Sequence, residues 1–233
     1  SKRFPEIKGL VTDLNNIVLS GYGRNLSPSI PDIDLWGCIT NRNIVIFQVS
    51  TLDYGETARI FGRLVIQDLK SACGHINRDP EKSRSLFPVY IDEFESFVHP
   101  SFNDLISKSR SAGLGIHILH QSMGDLEKVG DFFKKQITEN TNNKIILHVN
   151  DEDTVEYFAG MAGTKSATRL THQVEEDFFM TRKTGMGTSR QVEEYKIHPN
   201  VFRTLEIGEA VVMTRNNSKS CKVKLERLPN IPK

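Results

Sequence analysis

The chain has 233 residues, of which 38% are hydrophobic and 25% charged, with a net charge of +1. That length buries a sizeable core, as one large domain or one domain with an appendage, and no apolar run reaches the roughly 18 residues of a membrane span. The balanced charge excludes a protein that binds nucleic acid through bulk basicity, though not one with a local basic strip.

Residues 1–42 are mixed, with the turn-rich GYGRNLSPSIPDIDL (21–35) and no clean period. From Asn43 onward strand-like and helix-like segments alternate. NIVIFQVS (43–50) reads as a buried strand, and ETARIFGRLVIQDLKSA (56–72) as a helix with Ile60, Phe61, Leu64, Val65 and Leu69 at helical spacing. Gly74 and the polar run to Ser85 form a loop, and FPVYI (87–91) is the next strand. SFNDLISKSRSAG (101–113) is a short helix: Ser101 is a natural N-cap, Asp104 follows three residues on, and Gly113 can close it in a left-handed conformation. GIHILH (115–120) is a strand ending in Gln121, and DLEKVGDFFKKQI (125–137) an amphipathic helix through Leu126, Val129, Phe133 and Ile137. KIILHVN (144–150) is a further strand, and DTVEYFAGMA (153–162) a helix stopped by Gly163. Residues 164–193 are polar, with Arg169, Arg182, Lys183 and Arg190 scattered around GMGTS (185–189), and read as an exposed, partly mobile excursion. GEAVVMTR (208–215) and CKVKLERL (221–228) form an antiparallel hairpin across NNSKS.

Strand alternating with helix is the pattern of an α/β domain, a mainly parallel sheet with helices on both faces. Ligands of such sheets bind beyond the carboxyl ends of the strands. Four of the strands end in polar pairs: Ser50 and Thr51, Asp92 and Glu93, Gln121 and Ser122, Asn150 and Asp151. The expectation is that they meet on one rim.

The most informative of these ends is FPVYIDEFESF (87–97), where an apolar strand stops in adjacent carboxylates. Either the strand reaches the surface and its acids are solvated, or it is a Walker B element, in which the Asp holds magnesium and the Glu polarises the attacking water. Alternation along a strand lets neighbouring carboxylates take those different jobs. The second reading requires a phosphate loop of the form G-x-x-x-x-G-K-[S/T], and the sequence contains none. GMAGTKS (160–166) has the wrong glycine spacing and follows a helix, so Gly163 reads as a helix terminator. The chain is therefore no nucleotide hydrolase, or it is the later part of one whose phosphate loop lies upstream. His117, His120 and His148 lack a carboxylate or Cys cluster at ligand spacing, and read as strand histidines with local hydrogen bonds. Cys38, Cys73 and Cys221, odd in number and widely spaced, read as buried reduced thiols of a cytoplasmic protein.

VYIDEFESFVHPSFNDLISKSRSAGLGIHILHQSMGDLE (89–127) resembles the ATPase domain of type IV secretion coupling proteins, the TraG/TraD-like conjugation motors. IVIFQVSTLDYGETARIFGRLVIQDLKSA (44–72), KIILHVNDEDTVEYFAGMAG (144–163) and EYKIHPNVFRTLEIGEAVVMTR (194–215) are similar to other parts of that family. The resemblance implies a RecA-like domain, here its C-terminal part over 43–233. Residues 1–42 would be a linker or the tail of an inserted helical domain. It implies a ring of six at the cytoplasmic face of the bacterial inner membrane, coupling ATP hydrolysis to pumping single-stranded DNA into a type IV secretion channel, with relaxosome proteins as further partners. Asp92 would then be the magnesium-side carboxylate and Glu93 the catalytic one. Gln121 matches a sensing glutamine near the γ-phosphate, Ser122 completes the Gln-Ser pair, and Arg110 matches an arginine finger reaching a neighbouring subunit. ATP and magnesium would bind the full-length protein and not, tightly, this fragment, which would be inactive by itself. The competing expectations are another hexameric secretion ATPase, a HerA/FtsK-type pump, and a non-catalytic module that recruits relaxosome or secretion-substrate proteins.

Overall fold

The computed structural model describes residues 4–21, 23, 33–79, 85–177, 180–215 and 219–227. Most of the turn-rich 21–35 stretch, part of the 74–85 loop, the first three residues of the NNSKS turn and Leu228 lie outside the described residues. The chain divides into two compact units, Ser1–Asn140 and Thr141–Lys233.

The first unit opens with α1 (Phe4–Leu19) and α2 (Leu35–Asn41), two helices in a stretch where the sequence shows no period. Asp34 caps α2 by accepting from the Trp36 and Gly37 amides. The long helix α3 (Thr51–Arg78) follows, with Ser50 as its N-cap. Its first turn is set off from the rest by Gly55, at φ 51°, ψ −121°, a conformation open only to glycine. The packed side of α3 is Ala58, Gly62, Leu69, Ala72, Cys73 and Ile76. Small residues dominate it because the chain beyond the acidic pair comes very close: a Cβ on Gly62 would collide with the Phe97 ring. Gly62→Ala is accordingly expected to cost about 1–3 kcal/mol through overpacking. That lowers the melting temperature by roughly 2–10 °C, readable by calorimetry; an unchanged melt would mean that α3 does not lie against Phe97.

Strands β1 (Phe87–Ile91) and β2 (Leu114–Ile118) pair in parallel, Phe87 opposite Leu114 and Ile91 opposite Ile118. Between them run a short 3-10 turn (Phe94–Ser96), helix α4 (Phe102–Ser109) and a second 3-10 turn (Arg110–Ala112), closed by Gly113 at φ 80°. Helices α5 (Met123–Glu127) and α6 (Asp131–Asn140) complete the unit. They replace the single helix expected over 125–137, because Gly130 takes φ 139° between them. The apolar spacing survives the break, and Leu126, Phe133 and Ile137 are all buried. At the centre the Phe94 ring meets Phe102 at 4.6 Å and Phe133 at 6.5 Å.

Residues 43–50, expected to be a strand, join no ladder. The reason lies in β1. The Phe87 amide and the Ile91 carbonyl both bond toward β2, so by alternation Pro88 faces the outer edge, where it offers no N–H. The segment still runs beside β1. Arg42 Nη2 donates to Ser85 Oγ at one end, and Thr51 Oγ1 to Glu93 Oε2 at the other. The sequence offsets of those two bonds are 43 and 42, so the two segments run parallel and in step.

The second unit is built on an antiparallel sheet in the order β3-β6-β7: β3 (Asn143–Ile146), β6 (Glu209–Thr214) and β7 (Lys219–Lys224). The segment 144–150 was expected to be parallel with the acidic-ended strand. It is shorter and pairs antiparallel with β6 instead, so Asn150 and Asp151 do not end a strand of the β1–β2 sheet. Asp151 caps α7 (Glu152–Ala162), which Gly163 terminates at φ 83°. Val155, Phe158 and Ala159 of α7, Phe202 of α8 (Pro199–Arg203) and Ala210 and Val211 of β6 are buried in this unit's core, the Phe158 and Phe202 rings 6.4 Å apart. The stretch read as an excursion is a long hairpin of β4 (Thr164–Asp177) and β5 (Met180–Tyr195). At about 3.3 Å per residue its strands extend some 45 Å. Its base is tied to α7 by the Tyr195 hydroxyl on Glu156 Oε2 at 3.1 Å.

The expected α/β class holds, with a parallel pair in the first unit and antiparallel sheets in the second. Among the described residues no helix is long and apolar enough to cross a membrane.

Candidate functional site

Because β1 and β2 are parallel, their carboxyl ends share one rim, and two bonds carry the pairing past the assigned strands. The Leu119 amide donates to the Ile91 carbonyl at 2.9 Å, and the Phe94 amide to the Leu119 carbonyl at 2.9 Å. Asp92 and Glu93 are thus bracketed by residues held to the end of β2, two positions before Gln121. Both carboxylates are exposed.

Glu93 has a left-handed backbone, φ 46° and ψ 44°, which a non-glycine residue adopts only when its surroundings impose it. Two constraints do so here. Its amide donates to Asp92 Oδ1 at 2.9 Å, and Phe94, fully buried in the aromatic centre, fixes the chain just beyond. The bend turns the Glu93 side chain to the 43–51 segment, where Oε2 accepts from Thr51 Oγ1 at 3.5 Å.

Ser122 is the N-cap of α5, its hydroxyl accepting from the Gly124 amide at 3.0 Å. His120 folds over the same loop, ring nitrogen to the Ser122 carbonyl at 3.0 Å. Gln121 between them is exposed, and no side-chain hydrogen bond joins it to either carboxylate among the described residues. Lys128, beyond α5, holds its proton more tightly than an ordinary lysine, chiefly through its hydrogen bond to Asp125, with a smaller contribution from the Glu95 charge.

Arg110 is placed differently. It opens the 3-10 turn that leads into β2, at the amino end of the strand, and is exposed with no ion pair among the described residues. The four residue steps from Leu114 to Ile118, about 13 Å of strand, separate its end of the sheet from the acidic rim. The carboxyl end of this pair thus carries Asp92 and Glu93 directly after β1 and Gln121 and Ser122 three and four residues after the end of β2, whereas Arg110 lies at its amino end.

Among the described residues no group of three or more His, Cys, Asp or Glu gathers as a metal site, so a cation at this rim would be held by Asp92 alone. Oδ1 is engaged by the Glu93 amide, and no protein group among the described residues occupies Oδ2. Magnesium keeps several waters and takes one or two carboxylates plus phosphate oxygens, which an exposed single carboxylate suits. The histidines are engaged elsewhere: His117 stacks on Tyr90 at 4.5 Å, and His148 Nε2 bonds the Arg203 carbonyl at 3.1 Å.

Sequence reasoning did not link Thr51 to Glu93. The signal for its placement is Ser50-x-x-Asp53, a capping pattern that starts a helix where the 43–50 segment stops. The cap forms, the Asp53 amide donating to Ser50 Oγ at 3.2 Å.

Residues 87–206, just over half of the chain, match the family model described as the TraM recognition site of TraD and TraG. No curated protein matches the chain. Among solved structures, the unbound bacterial conjugative coupling protein TrwBdeltaN70 is similar with a TM-score of 0.58 at 22% identity, over 73% of this chain and 39% of that one. The plasmid coupling protein TrwB in complex with ADP and Mg2+ is similar with a TM-score of 0.55 at 22% identity, over 73% and 38%. TrwB in complex with the non-hydrolysable GTP analogue GDPNP gives the same TM-score of 0.55. The chain thus spans about two fifths of the length of these structures.

Proposed function

The chain belongs to the TraD and TraG family of coupling proteins, and from that premise we propose that it is part of a motor that couples ATP hydrolysis to pumping DNA toward a type IV secretion channel. The observation that carries the reading is the shared carboxyl end of two parallel strands, with Asp92–Glu93 directly after one and Gln121–Ser122 in the loop that follows the other. In the proposed chemistry Asp92 would hold a magnesium ion, whose charge would offset that of the nucleotide's phosphates. Glu93 orients and polarises the attacking water. Gln121 lies near the γ-phosphate, and Ser122 keeps its loop in place through the α5 cap. The likeness to TrwB, solved with ADP and Mg2+, supports nucleotide and magnesium as the ligands of the full-length protein.

The phosphate loop is contributed by a part of the protein outside these residues. The working assembly is a ring of six, anchored at the cytoplasmic face of the bacterial inner membrane, with single-stranded DNA as substrate. The family description supports a relaxosome protein of the TraM kind as a partner. It also favours a second reading, in which this chain is a docking module without catalysis of its own.

One comparison tests both. The full-length protein is expected to hydrolyse ATP in a reaction stimulated by single-stranded DNA. The 233-residue chain alone neither hydrolyses ATP nor binds it at micromolar concentration in calorimetric titration with magnesium. Full-length protein that binds the partner but never turns over ATP selects the docking module. Micromolar binding and turnover by the chain alone would overturn the assignment of the phosphate contacts to another segment.

A further inference from the structure

We propose that Thr51 is a positioning residue for Glu93, fixing the rotamer in which the carboxylate faces the attacking water; this rests on the function proposed above. Glu93 is exposed, and its backbone is held through the Asp92 side chain. Its carboxylate has one hydrogen-bond donor among the described residues, the Thr51 hydroxyl at 3.5 Å from Oε2. That is long for an O–H···O bond, and catalytic hydrogen bonds of nucleotide-free sites commonly shorten when substrate arrives.

Thr51 is itself carefully placed. The Arg42–Ser85 bond sets the 43–50 segment in step with β1, so that it delivers Thr51 beside residue 93. The Ser50 cap starts a single turn there: its hydroxyl takes the Asp53 amide at 3.2 Å and its carbonyl the Tyr54 amide at 3.2 Å. Gly55 then frees that turn from the direction of the remaining helix. A threonine in such a turn has few χ1 choices, which restricts the positions its hydroxyl oxygen can take. By occupying one lone pair of one oxygen, it leaves the rest of the Glu93 carboxylate for water.

The test uses the full-length protein, with kcat, the KM for magnesium ATP and a thermal melt measured for Thr51→Val, Thr51→Ser and Glu93→Gln, singly and combined. Valine keeps the shape and removes the donor. Expected is a roughly ten-fold lower kcat with KM unchanged, the scale of a misaligned reacting group. Thr51→Ser, which keeps the hydroxyl, retains several-fold more activity than valine. Adding Thr51→Val to Glu93→Gln leaves the residual rate where it was, since the positioned carboxylate is already gone. Three outcomes sink the inference: wild-type kcat in Thr51→Val, equal losses in valine and serine, or a further loss of equal size on top of Glu93→Gln. If Thr51→Val melts early, the serine comparison and the combined variant still decide. Full turnover by Glu93→Gln would instead remove the proposed function. A dead Glu93→Gln beside an unaffected Thr51→Val removes only the role of Thr51.

Discussion

Glu93→Gln in the full-length protein is expected to stop ATP turnover, a fall on the order of 10²–10⁴-fold, while nucleotide binding persists. The amide keeps the size of the side chain and its bond from Thr51, and the left-handed backbone at φ 46° is held by contacts that do not involve the carboxylate. On the proposed chemistry what is lost is the charge that polarises water, needed only as the transition state forms, so the loss is expected in kcat. Steady-state hydrolysis and equilibrium binding of a fluorescent ATP analogue measure the two halves separately. Wild-type hydrolysis would take Glu93 out of the chemistry. Loss of binding together with turnover would mean that it serves the nucleotide's ground state.

The second large effect is expected at Arg110, and between chains. The guanidinium sits at the amino end of β2 and the carboxylates at the carboxyl end of β1, so one copy does not bring them to the same rim. A head-to-tail ring presents one subunit's surface to the next subunit's site, and a closing heterologous interface generates such a ring. An arginine supplied in this way stabilises charge on the departing γ-phosphate, worth on the order of 10³–10⁵ in rate. Arg110→Ala alone should therefore be nearly inactive. Mixed with Glu93→Gln protein, it should recover part of the activity, because some interfaces then carry an intact Glu93 and an intact Arg110 from different chains. Absence of recovery at every ratio, in rings shown to contain both variants, would place Arg110 in its own subunit's site or in a structural role.

The acidic strand end was legible because it depends on near neighbours: FPVYI is short, β-rich and followed at once by its carboxylates, and β1 covers those residues. The caps were less so: Ser101, expected to cap its helix, has helical backbone and makes no side-chain cap bond, whereas Ser50, Ser122 and Asp151 do cap theirs. What escaped depends on distant residues or on one glycine. Nothing within NIVIFQVS indicates that the strand beside it presents Pro88 on the shared edge. Nothing within KIILHVN says that its partner lies over sixty residues away in β6 and runs the other way. The apolar spacing of 125–137 is continuous across Gly130 because both short helices face one core, so periodicity alone conceals the break. In α3 the large residues at helical spacing drew attention from the Ala58–Gly62 side, which is buried because Phe97 lies against it. Over 164–195 the apolar residues are sparse and unevenly spaced among Thr, Ser and charged ones, so the paired strands looked like loop.

Strands of a parallel sheet are ordinarily shielded on both sides by helices, and here α4 packs against β2 from one side. On the other, Leu86 is 77% and Tyr90 69% exposed, next to a 43–50 segment whose Ile44 is 91% and Ile46 83% exposed. The consequence is colloidal. Such a surface on a molecule of almost no net charge has little long-range repulsion to keep copies apart. A purified preparation of this piece will therefore tend to clump as it is concentrated, and more so as added salt screens what repulsion remains.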